Sequence, residues 1–396
     1  MILKRYYLLF FGFLMSLLLP ASINFFFSLR SFSVGFLIGQ ILLFVSIWVY
    51  SKKHLKLFSS THLSLLAFFL LIFSLISELS SQGDILNTLI VIGVVFVVYI
   101  NVSSLLRLPS EIFYRLITHS FLFLIILGFI SWSIFTFTSF FATGDLQYFL
   151  LIGEPSLFAM LVGPIGMLYA YRFNHFKLVI TIFLIYGIIF PSLIMLSFCI
   201  ILFLAYLLTQ VKILKATSLL IAGLLVMYLI FLSLGEEGDY FLSRLSVNVD
   251  SMNLTSLAFV VQWLNVYEAI ANFSYLGPGF GTSPGVVESY DSVYSQAIVT
   301  KYGEDITNNI GSTYLTRMFS SIGFGTLIFF LYFVCMAIKI FYSCTYSNSI
   351  NFSIILLASV VPLLFFRTAG ILSFDLFWII LVMILTHKMF DKSYNS

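Results

Sequence analysis

Apolar runs long enough to cross a bilayer recur from one end of this chain to the other, and a single long polar segment interrupts them. That pattern leaves few folds open. In hydrocarbon every backbone N–H and C=O must find a partner within the protein, so a lone apolar run becomes a helix or joins a closed barrel. The runs lack the strict polar/apolar alternation of an outer-membrane barrel. Charged residues make up only 9% of the chain and hydrophobic ones 61%, where soluble domains carry about 25% charged residues. The expected fold class is all-α: a polytopic integral membrane protein.

A span needs roughly 20 apolar residues to cross a hydrocarbon core about 30 Å thick. On that measure the sequence predicts about twelve transmembrane helices, near 6–29, 34–51, 61–77, 85–102, 116–138, 154–171, 178–191, 192–210, 216–234, 321–342, 350–366 and 371–387. The chain divides into residues 1–234 with helices one to nine, a large extracytoplasmic loop at 235–320, and residues 321–396 with helices ten to twelve. The stretch 178–210 is long for one upright helix and short for two. Pro191-Ser192 falls mid-run, where a tight hairpin or a kink belongs. The charge distribution favours the hairpin.

With that hairpin, both termini face the cytoplasm. Of the 19 Lys and Arg residues, only Arg30, Arg244, Lys301, Arg317 and Arg367 then lie outside. This is a clear positive-inside bias, and the inverted topology would reverse it. Lys4-Arg5 ahead of an apolar run resembles a signal peptide, but the run from Tyr6 to about Leu29 exceeds a normal signal core. A retained first helix is expected. Cys199, Cys335 and Cys344 fall in or near spans, so the loop has no disulfide framework or zinc pattern. There is no internal repeat at helical-repeat periods. The unequal halves weigh against an inverted-repeat transporter.

The loop is acidic. Between Gly235 and Ser320 it carries nine Asp or Glu against Arg244, Lys301 and Arg317, a net charge of −6. It offers no broad basic surface, which excludes nucleic acid as a partner. Residues 257–273 have helical apolar spacing and are expected to lie flat at the interface, with Trp263 and Tyr267 at headgroup depth. Gly277-Pro278-Gly279-Phe280-Gly281 follows. Its spacing is not a dinucleotide fingerprint, and by itself it reads as a turn-rich loop.

Charged residues also stand at the membrane rim. Gly153-Glu154-Pro155-Ser156 opens the sixth span. Glu154 reads either as an acid at the positive end of a helix dipole or as a functional carboxylate. Arg367 and Asp375 bracket the last outer loop. A charge near membrane depth costs roughly 2.5–3.5 kcal/mol at a helix centre, so it has a partner or a function. A mutual salt bridge and snorkelling to the interface are the plain alternatives. Arg244, Arg317 and Arg367 are the arginines outside after the second span. Planar forks of this kind suit diphosphate oxygens.

This arrangement resembles the Wzy-type O-antigen and capsule-repeat polymerases of the O-antigen polymerase/ligase superfamily. The likeness rests on the many short spans, Gly-Glu-Pro-Ser on a middle span and Arg244 at the loop's start. The Gly277–Gly281 turn and Ser321-Ile322-Gly323-Phe324-Gly325 opening the next span complete it. The related ligases carry a histidine in the loop. Here His54, His62, His119, His175 and His387 all fall in or near the cytoplasmic side, which favours a polymerase.

The resemblance implies a fold similar to the C-type glycosyltransferases, in the bacterial inner membrane. It implies transfer of a polyprenyl-diphosphate-linked glycan chain onto the next lipid-linked repeat unit at the outer face. The substrate would be an undecaprenyl-diphosphate-linked oligosaccharide used in lipopolysaccharide or capsule synthesis. No cofactor and no metal are implied. A chain-length regulator and a flippase are the implied partners. Such a site must stabilise charge on the diphosphate and take a proton from a hydroxyl. The expected catalytic residues are Glu154 as base with Arg244 and Arg317. Arg367, Asp375, Glu268, Gly279 and Gly281 are expected to bind substrate. A lipid-linked oligosaccharide flippase and an O-antigen ligase are the alternatives.

Overall fold

The computed structural model describes residues 2–27, 32–50, 85–139, 155–190, 192–210, 254–272, 293–302, 313–342, 348–365 and 372–394, together with 72, 74–76 and 79. Among the described residues every regular element is a helix. The first seven are α1 (Ile2–Phe27), α2 (Phe32–Tyr50), α3 (Ile85–Leu105), α4 (Ser110–Ser139), α5 (Pro155–Phe173), α6 (Phe176–Ile189) and α7 (Leu193–Gln210). Three follow in the polar segment and at its end: α8 (Leu254–Asn272), α9 (Val293–Tyr302) and α10 (Tyr314–Ile322). The last three are α11 (Gly325–Tyr342), α12 (Asn348–Phe365) and α13 (Phe374–Tyr394).

The protein is membrane-embedded. Five helices, α1 to α5, are long and apolar enough to cross a bilayer. Helices α6, α7, α11, α12 and α13 contribute shorter apolar segments. The expected span at 216–234 and nearly all of that at 61–77 lie outside the described residues.

Helices α6 and α7 form the antiparallel hairpin expected at 178–210. Gly187 lies against Leu196, and the rings of Phe183 and Phe198 meet at 6.4 Å. The Cys199 thiol donates to the Ile180 carbonyl at 3.6 Å. At the turn, Ser192 Oγ accepts from the Met195 N–H at 3.3 Å and so caps α7. Helix α6 has 14 residues, a rise of about 21 Å, which is why the stretch read as short for two spans.

The closest helix pair is α1 with α2, and small residues explain it. Gly35 and Gly39 sit four apart on one face of α2. A Cβ at Gly35 would meet the Leu19 carbonyl at 2.5 Å, and one at Gly39 would meet Ser16 Cα at 2.9 Å. On the other side, Gly12 receives Ser46. Lipid supplies no hydrophobic drive between helices, so backbone approach through small residues does the work. Polar contacts fix register nearby: Asn101 Nδ2 on α3 donates to the Gln40 carbonyl at 2.8 Å and to Gln40 Oε1 at 2.9 Å.

Helix α5 is the centre of the bundle. It buries 13 of its 19 residues and touches α4, α6, α7, α12 and α13. Helix α13 packs on α3 and α12, and Trp378 Nε1 donates to Ser359 Oγ at 2.8 Å. A burial of this extent is far from a single lipid-facing helix, and the C-terminal half of α1 meets the starts of α5 and α13.

Two boundaries differ from the sequence reading. The tenth span was expected to begin at 321. Instead α10 runs to Ile322, the chain turns at Gly323 with φ 50°, and α11 begins at Gly325. Only glycine takes that left-handed backbone at little cost, so the Gly-Phe-Gly run ends one helix and starts another. The second difference is α9, a helix inside the polar segment that its weak apolar pattern did not announce.

Candidate functional site

The last part of the polar segment is folded into the bundle. Helix α10 begins with a reciprocal cap: Thr313 Oγ1 accepts from the Thr316 N–H, and Thr316 Oγ1 accepts from the Thr313 N–H, each at 3.1 Å. Such a cap satisfies two donors that a helix start leaves open. Gln262 of α8 seals it. Its Oε1 accepts from the Thr313 N–H at 3.2 Å and from Thr316 Oγ1 at 3.3 Å. Trp263 meets Phe319 with ring centroids 6.3 Å apart.

Helix α8 therefore has two loyalties. Leu257 and Val261 form a small core with Ile298 of α9, while Gln262 and Trp263 bind α10. Tyr267 remains 71% exposed, as an interfacial aromatic would be. From α10, Tyr314, Met318 and Ile322 enter the main core at i, i+4 and i+8.

Opposite α10 stands the start of α13. Ser373 Oγ accepts from the Asp375 N–H at 3.3 Å and donates to Asp375 Oδ2 at 3.2 Å. This seats the carboxyl group in the first turn, where the helix dipole favours negative charge. Asp375 is 1% exposed. A buried charge at this depth needs compensation, and Asp375 acts on two α10 side chains, Arg317 and Tyr314.

Burial of the Arg317 guanidinium pulls its pKa below the usual arginine range, and the Asp375 carboxylate opposes that pull. Burial raises the Tyr314 phenol well above the ordinary tyrosine value, with Asp375 adding to the rise. Both effects of Asp375 have the sign of a nearby negative charge. Tyr314 is 2% exposed, whereas Arg317 is half-buried. Arg317 is thus the member of the trio with surface to offer a ligand.

A third wall completes the place. A cavity of about 20 Å³ lies between Leu17 and Ala21 of α1, Leu157 and Met160 of α5, and Ser373 and Asp375. That is room for about one water. The helix opened by Gly-Glu-Pro-Ser, the Arg317 helix and the Asp375 helix therefore share one end of the bundle.

Of the residues singled out from the sequence, Arg317 and Asp375 are near enough for the carboxylate to act on the guanidinium. Glu268 is carried by α8, the helix that packs on α10. Its side chain lies outside the described set, as do Glu154, Arg244, Arg367, Gly279 and Gly281. The sequence reading missed Tyr314, Gln262 and Ser373. Tyr314 stands three residues before Arg317, hence on the same helix face. Thr313 and Thr316 carry the spacing of a capping pair. Gln262 gave no such signal, because its partners lie 51 and 54 residues away.

Among the described residues, no three His, Cys, Asp or Glu side chains converge as a metal-ligand set. No known family, no curated protein and no solved structure matches the chain.

Proposed function

We propose that this protein is a Wzy-type polysaccharide polymerase, with a fold like that of the C-type glycosyltransferases. It transfers a glycan chain from its polyprenyl diphosphate to the next lipid-linked repeat unit at the outer face of the inner membrane. The observation that carries the reading is the Asp375–Arg317–Tyr314 group at the bundle end roofed by the polar segment.

In this reading Arg317 binds the diphosphate of the donor, and its charge stabilises the negative charge that grows on the departing oxygen. Asp375 is a positioning residue. Its negative charge helps keep the Arg317 guanidinium protonated. Tyr314 stays a neutral phenol beside it. The acceptor hydroxyl oxygen attacks the anomeric carbon, the bond from that carbon to the diphosphate oxygen breaks, and the hydroxyl proton passes to a carboxylate. Glu154 remains the proposed base, since it immediately precedes the helix that walls the cavity. Arg244 and Arg367 are proposed as further anion ligands, and Glu268, Gly279 and Gly281 as substrate contacts.

The test is surface glycan from a deletion strain, resolved by length on a gel. A polymerase leaves caps of a single repeat, and the full chain restores long polymer. Lipid-linked units held on the cytoplasmic side would mark a flippase instead and refute the reading. In the complemented strain, Arg317→Ala is expected to cut polymerisation roughly a hundredfold, the usual cost of one such donor. Arg317→Lys keeps the charge without the fork and is expected to fall between. Normal long chains from Arg317→Ala at normal protein level would remove Arg317 from the mechanism.

A further inference from the structure

At the opposite end of the bundle, the turn from α3 to α4 borders a cavity of about 520 Å³, within the size range of small-ligand sites. Arg107, Ser110 and Tyr114 give it polar walls, and Leu108, Phe113 and Leu385 apolar ones. The turn is tightly made. Leu106, Arg107 and Leu108 donate to the carbonyls of Val102, Ser104 and Leu105 at 3.0–3.2 Å. Phe113 and Leu108 are each 5% exposed, so the floor is fixed rather than fluid.

The surroundings are cationic. Arg172 of α5 lies over the Tyr114 ring, 4.7 Å from its centroid. Arg115 acts on Tyr6 of α1, whose hydroxyl lies 2.7 Å from His119 Nδ1. Lys4, Arg5 and Lys177 are exposed at the same end of the bundle. Glu111, in the first turn of α4, is an exposed acid at the same end.

The cavity also lies at the end of two candidate spans. It falls where the span Thr88–Leu105 ends and the span Ser110–Ile134 begins. A ligand there meets Arg107 together with the apolar side chains of Leu108, Phe113 and Leu385. The positive-inside bias assigns this end to the cytoplasm. Basic pockets between helices on that side bind phospholipid headgroups.

We propose that this cavity holds the phosphodiester headgroup of an anionic phospholipid, with Arg107 as its cationic wall and Arg172 adding charge from beyond the Tyr114 ring. Leu108, Phe113 and Leu385 take the start of the acyl chains. The commitment to a lipid over free phosphate rests on those apolar walls and on the position of the cavity at the ends of two spans.

The test uses the full chain purified in a neutral detergent. Phosphatidylglycerol, phosphatidylcholine and inorganic phosphate are added in parallel, and the melting temperature and the lipids retained in native mass spectra are read. Phosphatidylglycerol is expected to raise the melting temperature and to be retained, and the other two are not. Arg107→Gln and Arg172→Gln are each expected to weaken phosphatidylglycerol binding roughly fivefold, the value of one cation near an anionic surface. Arg107→Lys keeps the charge and retains most of the binding. Should Arg107→Gln fail to fold, Arg172→Gln, whose side chain is exposed, carries the comparison. Lys177→Gln removes a neighbouring cation outside the cavity and is expected to leave binding unchanged. Equal loss from Lys177→Gln would make the effect diffuse surface charge and overturn the site. An equal response to inorganic phosphate would overturn the lipid assignment, and so would equal retention of phosphatidylcholine.

Discussion

The two ends of the helix bundle handle charge in opposite ways. At one end, Asp375 is buried, and its charge acts on the half-buried Arg317 and on the buried Tyr314 of α10. At the other, Lys4, Arg5, Arg115, Arg172 and Lys177 stand exposed and mostly of one sign. The difference teaches where energy is at stake. A charge in a dry site is nearly as costly to strand as it is useful when paired. A charge in the headgroup region is hydrated and screened within about 8 Å at physiological salt. Ionic groups therefore make a tight, salt-insensitive element at one end and a soft, salt-sensitive one at the other.

The sharpest way to break this comparison is Asp375→Ala. It removes the acid that offsets the half-buried Arg317 guanidinium and is expected to destabilise the protein by about 1–3 kcal/mol, read by thermal or denaturant unfolding in detergent. The loss should change little between low and high salt. A salt-dependent loss below 1 kcal/mol would place Asp375 among ordinary surface charges.

Gln262→Ala tests how the sealed end is roofed. It removes the acceptor shared by the Thr313 N–H and Thr316 Oγ1, a loss of about 1–2 kcal/mol. Helix α8 should then come off α10 first, with earlier proteolytic cleavage in the polar segment while the main bundle stays intact. Unchanged cleavage would mean that the Trp263–Phe319 contact alone holds the roof.

At the open end, Arg172→Ala removes the cation over Tyr114. The expected cost is about 0.5–1 kcal/mol, and added salt should shrink it. The contrast with Asp375→Ala is the comparison in numbers.

The smallest effect is a pH dependence. The Tyr314 phenol has a folded-state pKa raised above its unfolded value of about 10. Its contribution to stability is complete below the unfolded value and is lost as pH rises beyond it. Tyr314→Phe is therefore expected to flatten the alkaline loss of stability relative to the natural chain. Parallel alkaline limbs for the two proteins would show that Tyr314 titrates as an open phenol.

Much of the membrane architecture was legible because apolar length and proline are local signals. The run at 178–210 with Pro191 near its middle pointed to a hairpin, and α6 and α7 form one. The Gly323 break was harder. Ser-Ile-Gly-Phe-Gly reads equally well as the start of a span, and only the positive φ at Gly323 shows that α10 stops there. Arg317 and Asp375 stood out separately, each as a charge where charge is expensive. Their association was out of reach, since 58 residues separate them in the chain and the nearer basic neighbour of Asp375 in sequence is Arg367.

The sequence by itself determined that this chain lives in a membrane, is helical wherever it is described, and divides its charge between a basic end and an acidic polar segment. Those properties follow from apolar length and from the need to satisfy each backbone group within its own helix. Only the tertiary structure decided which charges meet. The polar segment could have floated over the membrane. Instead Gln262 clamps the start of α10, Tyr314, Met318 and Ile322 anchor it in the core, and Arg317 is carried down to Asp375. Such a meeting depends on contacts between helices far apart in the chain, and no local pattern of residues encodes it.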